Sequence, residues 1–219
     1  GQHYYENVYV RSKFEAENLI LQHMAKGLNA AIHRIGVLAG RYSDGQFQAN
    51  INDNALYNRL RSIIQLGFVQ EDYQTLDIEL SPVDYCSRAI ILLSEIEESN
   101  CHIFHVFNHK TIHLNDLTKA AHQCGYPIKN LNRGDYEDKI KEIQTDPYRR
   151  DLLTGIINDF SINRSIGLQN FAVIDSGITV DYLHQLGFEW PEINFEYLEK
   201  LIHYMESIGF IVKSETLGF

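Results

Sequence analysis

Apolar residues recur along the chain with two periods, and the change from one to the other marks out its elements. Over residues 7–26, Val10, Phe14, Leu21 and Met24 stand at helical spacing, and Gly27 follows as a stop. Tyr9, Lys13, Ala16 and Ile20 form an adjoining stripe on the same helix. Glu17 falls inside the apolar arc, where a carboxylate needs a cationic or hydrogen-bonding partner, and Arg34 is the candidate. The run A-A-I-H-R-I-G-V-L at 30–38 is short, apolar and ended by glycine, as a buried parallel strand would be. A glycine- and asparagine-rich loop occupies 40–50, and a helix is expected over 54–66. In S-P-V-D at 81–84, Ser81 suits a helix cap, Pro82 the first helical position, and Asp84 either a return bond to the cap or a favourable charge at the helix N-terminus. A strand follows at 101–108 and a helix at 115–124. Beyond 133 the period is helical over 135–143, 148–160, 180–186 and 195–208, with Trp190 expected in the core. The pattern predicts an α/β fold, a strand–helix portion over 1–108 followed by a mostly helical portion over 109–219.

Composition narrows the class. With 219 residues and 44% hydrophobic content the chain can bury a sizeable core. Its net charge of −10 argues against nucleic acid as a partner, because phosphate binding needs clustered lysine and arginine. No apolar run reaches the length of a membrane span. The cysteines Cys86, Cys101 and Cys124 match no metal-ligand spacing and suit a reducing, cytoplasmic setting. His102, His105, His109 and His113 are close in sequence, but the strand spacing turns His102 and His105 to opposite faces, so no metal site is expected. Lys139, Lys141, Arg149 and Arg150 form either a solvated helix face or a surface for an acidic partner.

The chemistry-bearing pair is Tyr9 and Lys13, four apart on one helix face. A phenol is a poor proton donor and acceptor near neutral pH, and an adjacent ammonium favours its ionised form. Two further stretches stand around this pair. Y-V-R-S-K-F-E-A-E followed by H-R-I-G-V-L-A-G resembles the extended short-chain dehydrogenase/reductase superfamily. The continuation, G-R-Y-S-D-G-Q-F-Q-A-N, then S-P-V-D-Y-C-S-R-A-I, then L-G-F-E-W-P-E-I, resembles the terminal thioester reductase domains of nonribosomal peptide synthetases. The likeness runs over essentially the whole chain.

That resemblance implies the C-terminal part of a Rossmann-like parallel sheet with a mostly helical substrate-binding subdomain. It also implies NADPH-dependent reduction of an acyl or peptidyl thioester held on a phosphopantetheinyl peptidyl carrier protein. Tyr9 would donate a proton, or a hydrogen bond, to the carbonyl oxygen as hydride arrives, and Lys13 would hold the cofactor ribose and lower the pKa of Tyr9. The hemithioacetal would collapse to an aldehyde, which some relatives reduce to an alcohol. Gly36, Val37 and Leu38 match the stretch beside the nicotinamide, although relatives often carry Asn at the position of Val37. Asp44 and Asn50, in the polar loop, are the candidates for substrate contact. The alternatives are an acyl-CoA or aminoadipate-type reductase, a sugar-nucleotide epimerase of the same superfamily, or a non-catalytic carrier-docking piece.

The family's glycine-rich strand-to-helix turn, whose backbone amides meet the cofactor pyrophosphate, has no counterpart in these 219 residues. The chain thus reads as the C-terminal half, or somewhat more, of a reductase domain. Residues 1–219 alone are expected to be inactive, to bind NADPH poorly, and to leave the apolar faces of the first helix and of the strand at 30–38 uncovered.

Overall fold

A computed structural model of the chain describes residues 8–96, 102–147, 149–156 and 175–213. They fall into two compact units, each woven from separate stretches of the chain. The first draws on Gly1–Ile35, Ser87–Val106 and Ile174–Glu189; the second on Gly36–Cys86, Phe107–Val173 and Trp190–Phe219.

The first unit contains helix α1 (Val8–Met24), strand β1 (Ile32–Ile35), most of helix α3 (Val83–Ser94), strand β6 (Ile103–Val106) and helix α6 (Gly177–Gln185). β1 and β6 run parallel, with Ile32 opposite Ile103 and Ile35 opposite Val106. Alternation on β6 buries Phe104 and Val106, and the same unit also buries Ala89 and Leu93 of α3 and Leu183 of α6. α6 also closes one side of β6, where the His105 N–H donates to Thr179 Oγ1 at 2.9 Å. α1 buries only Met24, and its C-terminus turns through Gly27 at φ +99°, the left-handed backbone that glycine adopts without strain. The expected Glu17–Arg34 pair forms, with Arg34 Nε donating to Glu17 Oε2 at 3.0 Å. Its setting is wetter than a core position, since the Glu17 side chain is 24% exposed and that of Arg34 48%.

The second unit is larger. Its strands pair as β2 (Leu38–Ala39) with β5 (Ser81–Pro82) and β3 (Phe68–Gln70) with β8 (Lys129–Leu131), both parallel, and β4 (Asp77–Ile78) with β7 (Ile112–His113), antiparallel. Around them pack α2 (Ala55–Leu66), α4 (Leu114–Gln123), α5 (Arg133–Gln144) and α7 (Phe195–Ser207). One core joins Tyr57, Leu60 and Ile64 of α2, Leu117 and Ala121 of α4, and Tyr197, Leu201, Ile202 and Met205 of α7. A second joins Phe68 of β3 to Tyr136, Ile140 and Ile143 of α5 and to Leu153. Asparagine starts three of these helices: the side chains of Asn54, Asn132 and Asn194 accept the backbone N–H three residues on. Trp190 is buried, as expected. On α5, Lys139 and Lys141 pair with Glu142 and Asp138, a solvated face of i,i+3 contacts.

Three expectations need revision. The apolar run at 30–38 is not one strand but two, broken at Gly36–Val37, with Ile35 and Val37 partly exposed. Ser81 and Pro82 do not open a helix; they form β5 against β2, and α3 starts at Val83. Of the two roles expected of Asp84, the return bond to Ser81 does not form, its carboxylate accepting the Tyr42 N–H at 3.0 and 3.1 Å, while its place in the first turn of α3 does put a negative charge at that helix's N-terminus. The helix expected at 148–160 lies partly outside the described residues, as does Cys101; within it, Arg150–Leu153 is a short 3-10 turn.

Candidate active site

The helix that carries Tyr9 and Lys13 has no glycine or proline between them, and an i,i+4 spacing sets both side chains on one face. That face is open. Tyr9 is 70% exposed, and the Lys13 ammonium lies 5.4 Å from the Tyr9 ring centroid, within cation–π range. Ser12 folds back along the helix, its hydroxyl donating to the Tyr9 carbonyl at 2.8 Å. The phenol and the ammonium are thus together, reachable from solvent, and part of the first unit.

Gly36, Val37 and Leu38 belong to the second unit. The glycine is required by the protein itself: a Cβ at Gly36 would stand 2.1 Å from Glu79 Oε1 and 2.4 Å from Phe107 Cβ. The same Glu79 oxygen accepts the Val37 N–H at 2.9 Å and the Ser81 hydroxyl at 2.6 Å. The Val37 carbonyl accepts the Ser81 N–H at 2.9 Å. Both backbone groups of Val37 are therefore engaged, while its side chain is exposed. Ser81 continues the network by accepting the Asn108 N–H at 2.8 Å; both residues are fully buried.

The loop after β2 is built by tyrosines. Gly40 donates its N–H to the Tyr57 hydroxyl at 2.8 Å, and the Tyr197 hydroxyl donates to the Gly40 carbonyl at 2.6 Å. Tyr204 reaches the Phe47 carbonyl at 2.9 Å, and Tyr42 the Glu192 carbonyl at 2.9 Å. Burial raises the pKa of Tyr57 and of Tyr197, so both phenols stay protonated as donors and acceptors within the fold. Inside the loop, Asp44 clamps Arg41: Nε donates to Oδ1 at 3.0 Å, and Nη2 to Oδ2. Asp44 also accepts the Gln46 N–H at 3.0 Å, and that bond, followed by Arg41, holds its carboxyl below the ordinary aspartate range. Asn50 precedes the short turn Ile51–Asp53, with its side chain exposed and making no cap bond.

Of the residues singled out in the sequence, α1 therefore brings Tyr9 and Lys13 together, and the second unit holds Gly36, Val37, Leu38, Asp44 and Asn50. Glu79, Arg41 and the phenols of Tyr57, Tyr197 and Tyr204 were not foreseen. Glu79 stands two residues before the S-P pair in an alternating D-I-E-L stretch, where spacing alone reads it as a solvated carboxylate. The exposed phenol and ammonium on α1 fit the ribose and carbonyl end of a nicotinamide reaction. Among the described residues the pyrophosphate end finds no match: the positive-φ glycines Gly27, Gly67, Gly125, Gly187 and Gly209 follow helices, and Gly45 sits in the loop. No helix among the described residues is long and apolar enough to cross a membrane, and no group of three or more His, Cys, Asp or Glu is placed to hold a metal.

The chain is similar to several known proteins. Residues 1–90 match the family model described as male sterility protein, an NAD-binding type. A linear gramicidin synthase from Brevibacillus parabrevis is 26% identical over 202 residues, 92% of this chain and 4% of that protein. A thiolation-reductase di-domain from an archaeal nonribosomal peptide synthetase superposes with a TM-score of 0.82 at 35% identity, over 94% of this chain and 42% of that one. The terminal R domain of the myxalamid PKS-NRPS pathway shares the fold, with a TM-score of 0.79 at 24% identity, over 94% of this chain and 51% of that one. The chain thus spans about half the length, or less, of the solved reductase structures it matches. Motifs, fold and family model point the same way: the chain is similar to the reductase domains of nonribosomal peptide synthetases, and its residues 1–90 match the NAD-binding family model.

Proposed function

We propose that this chain carries the catalytic helix and the substrate-facing portion of an NADPH-dependent thioester reductase, which releases a carrier-bound acyl or peptidyl group as an aldehyde. The observation that carries the reading is the open Tyr9/Lys13 face of α1, a phenol and an ammonium held within one helical turn. When bound, the reduced nicotinamide supplies hydride to the thioester carbonyl carbon. Tyr9 gives its phenolic proton to the carbonyl oxygen, and Lys13 binds the ribose hydroxyls and keeps a positive charge beside the phenol. Breaking the carbon–sulfur bond of the resulting hemithioacetal then yields the aldehyde and returns the thiol to the phosphopantetheinyl carrier.

In this reading Gly36, Val37 and Leu38 would line the nicotinamide site, with the Val37 N–H and carbonyl already committed to Glu79 and Ser81. Asp44 acts on substrate through Arg41, which it orients, and Asn50 offers a free carboxamide. The mostly helical stretch 109–219 would face substrate and carrier, although it is not a unit of its own, since Ile174–Glu189 belongs to the first unit. The glycine-rich turn for the pyrophosphate has no counterpart in these 219 residues, so in this reading they would not reduce thioesters by themselves. The likeness to a thiolation-reductase di-domain supports a carrier protein as partner.

The test is turnover by the reductase that contains this chain. NADPH consumption with a peptidyl or acyl pantetheine thioester, and an aldehyde trapped as its hydrazone, is the expected result. Preference for acyl-CoA, or for a nucleotide sugar, would replace this reading by one of its superfamily alternatives. In parallel, calorimetry should find no micromolar NADPH site on residues 1–219 alone.

A further inference from the structure

A cleft of about 290 Å³ lies wholly within the second unit, lined by Leu38, Arg41, Gln46, Phe47, Gln48 and Val83. Its rim is the loop that Tyr57, Tyr197 and Tyr204 pin by hydrogen bonds to Gly40 and Phe47, so the cleft is built rather than incidental. Two glycines allow the loop to close this tightly. A Cβ at Gly40 would meet the Gly45 carbonyl oxygen at 2.2 Å, and one at Gly45 the Lys200 carbonyl oxygen at 2.4 Å.

Arg41 is the polar centre of the cleft. Its Nε and Nη2 are taken by Asp44 and Gln46, which leaves Nη1 without a hydrogen-bond partner among the described residues. Asp44 offsets the guanidinium charge, so a phosphate or carboxylate brought to Nη1 would meet a carboxylate beside it. A neutral carbonyl acceptor would not. The carboxamides of Gln46 and Gln48 add groups that match an amide as donor and as acceptor, and Leu38, Phe47 and Val83 supply apolar walls for methylene and methyl groups. The volume is at the low end of ligand pockets, roughly 300–1,000 Å³, which suits a length of chain rather than a dinucleotide.

We infer that this cleft binds the amide-bearing chain of the thioester substrate, with Arg41 Nη1 donating to an amide carbonyl and Asp44 holding Arg41 in place. The inference rests on the thioester reductase reading. Pantetheine and a peptidyl group both offer this chemistry, and the substrate series separates them.

The experiment uses the reductase that contains this chain and measures kcat and KM for one acyl group on N-acetylcysteamine and on pantetheine, and for a peptidyl group on N-acetylcysteamine. For Arg41→Ala, KM should rise about tenfold, the effect of one lost hydrogen bond to a charged donor, while kcat stays within about twofold. A rise confined to the pantetheine thioester assigns the cleft to the arm, and a rise confined to the peptidyl thioester assigns it to the peptide; both support the inference. Gln48→Ala is the second variant, because it leaves the hydrogen bonds that pin the loop intact. It should move KM in the same direction on the same substrate by about threefold. Unchanged KM in both variants on every substrate overturns the inference and leaves the reductase reading standing. Failure of the unmodified enzyme to reduce any thioester overturns both.

Discussion

At the scale of single residues, the segment 36–48 shows how one glycine can be read in two ways. The family resemblance points Gly36 toward the nicotinamide, but inside the protein it is the Glu79 carboxylate that occupies the space beside its Cα. Glu79 then fixes Val37 and Ser81, so a single carboxylate sets the path of the chain between β1 and β2. Gly36→Ala should therefore destabilise the fold by about 1–3 kcal/mol through overpacking, measured by urea unfolding with the m-value unchanged. Glu79→Ala in the same background should not restore wild-type stability, because Phe107 Cβ still crowds the new Cβ and Val37 and Ser81 lose their acceptor. Wild-type stability in the single variant would mean that the segment can move aside. None of this was legible in the sequence. Glu79 and Val37 are 42 positions apart, and no periodicity connects them. The same holds for Arg41, whose importance comes from Asp44, Gln46 and the phenols around it. The Tyr9/Lys13 pair was legible because its partners share one helix, where spacing alone dictates a common face.

At the scale of elements, helices were readable and short strands were not. The helices expected at 54–66, 115–124, 135–143, 180–186 and 195–208 appear within a few residues of those bounds as α2, α4, α5, α6 and α7. Each has a repeating apolar face, and three have an asparagine at the start. β3 and β8 have three residues each and β4, β5 and β7 two, too few to show a period of two. Ser81–Pro82 reads as a helix start by local chemistry, and pairing with Leu38–Ala39 overrides it. The Glu17–Arg34 pair, which ties α1 to β1, makes a prediction about pH. The Arg34 hydrogen bond lowers the Glu17 pKa against a smaller opposing effect of burial. Its contribution is therefore complete above the unfolded glutamate value of about 4.3 and disappears as pH falls through the lowered folded value. Both side chains are partly solvated, which limits the pair to about 0.5–1 kcal/mol. Glu17→Gln should lower stability by that amount at neutral pH and by nothing near about pH 2. Denaturant midpoints across this range measure it, and an equal loss at both ends would exclude the ion pair as the cause.

At the scale of the whole molecule, the parallel α/β architecture and the reductase kinship were both legible, the first from apolar runs bounded by glycine and the second from several motifs in a fixed order. The described structure adds a concentration of exposed apolar side chains on the first unit: Val8, Phe14 and Leu19 on α1, Ile91 on α3, Ile103 on β6 and Ile178 on α6. Such a surface tends to associate. Residues 1–219 on their own should self-associate, seen as a mass that rises with concentration in light scattering, and Phe14→Lys with Leu19→Lys should reduce it. A monomer of constant mass would show that this surface is covered in solution.

The central claim is that Tyr9 delivers the proton in a hydride reduction while Lys13 serves both Tyr9 and the ribose. Steady-state turnover of a pantetheine thioester by the reductase containing this chain, compared between wild type and Tyr9→Phe, tests it most directly. The account predicts that Tyr9→Phe lowers kcat roughly 10²- to 10⁴-fold, the usual contribution of a positioned acid, with NADPH affinity nearly unchanged. Near-normal turnover in Tyr9→Phe would contradict it.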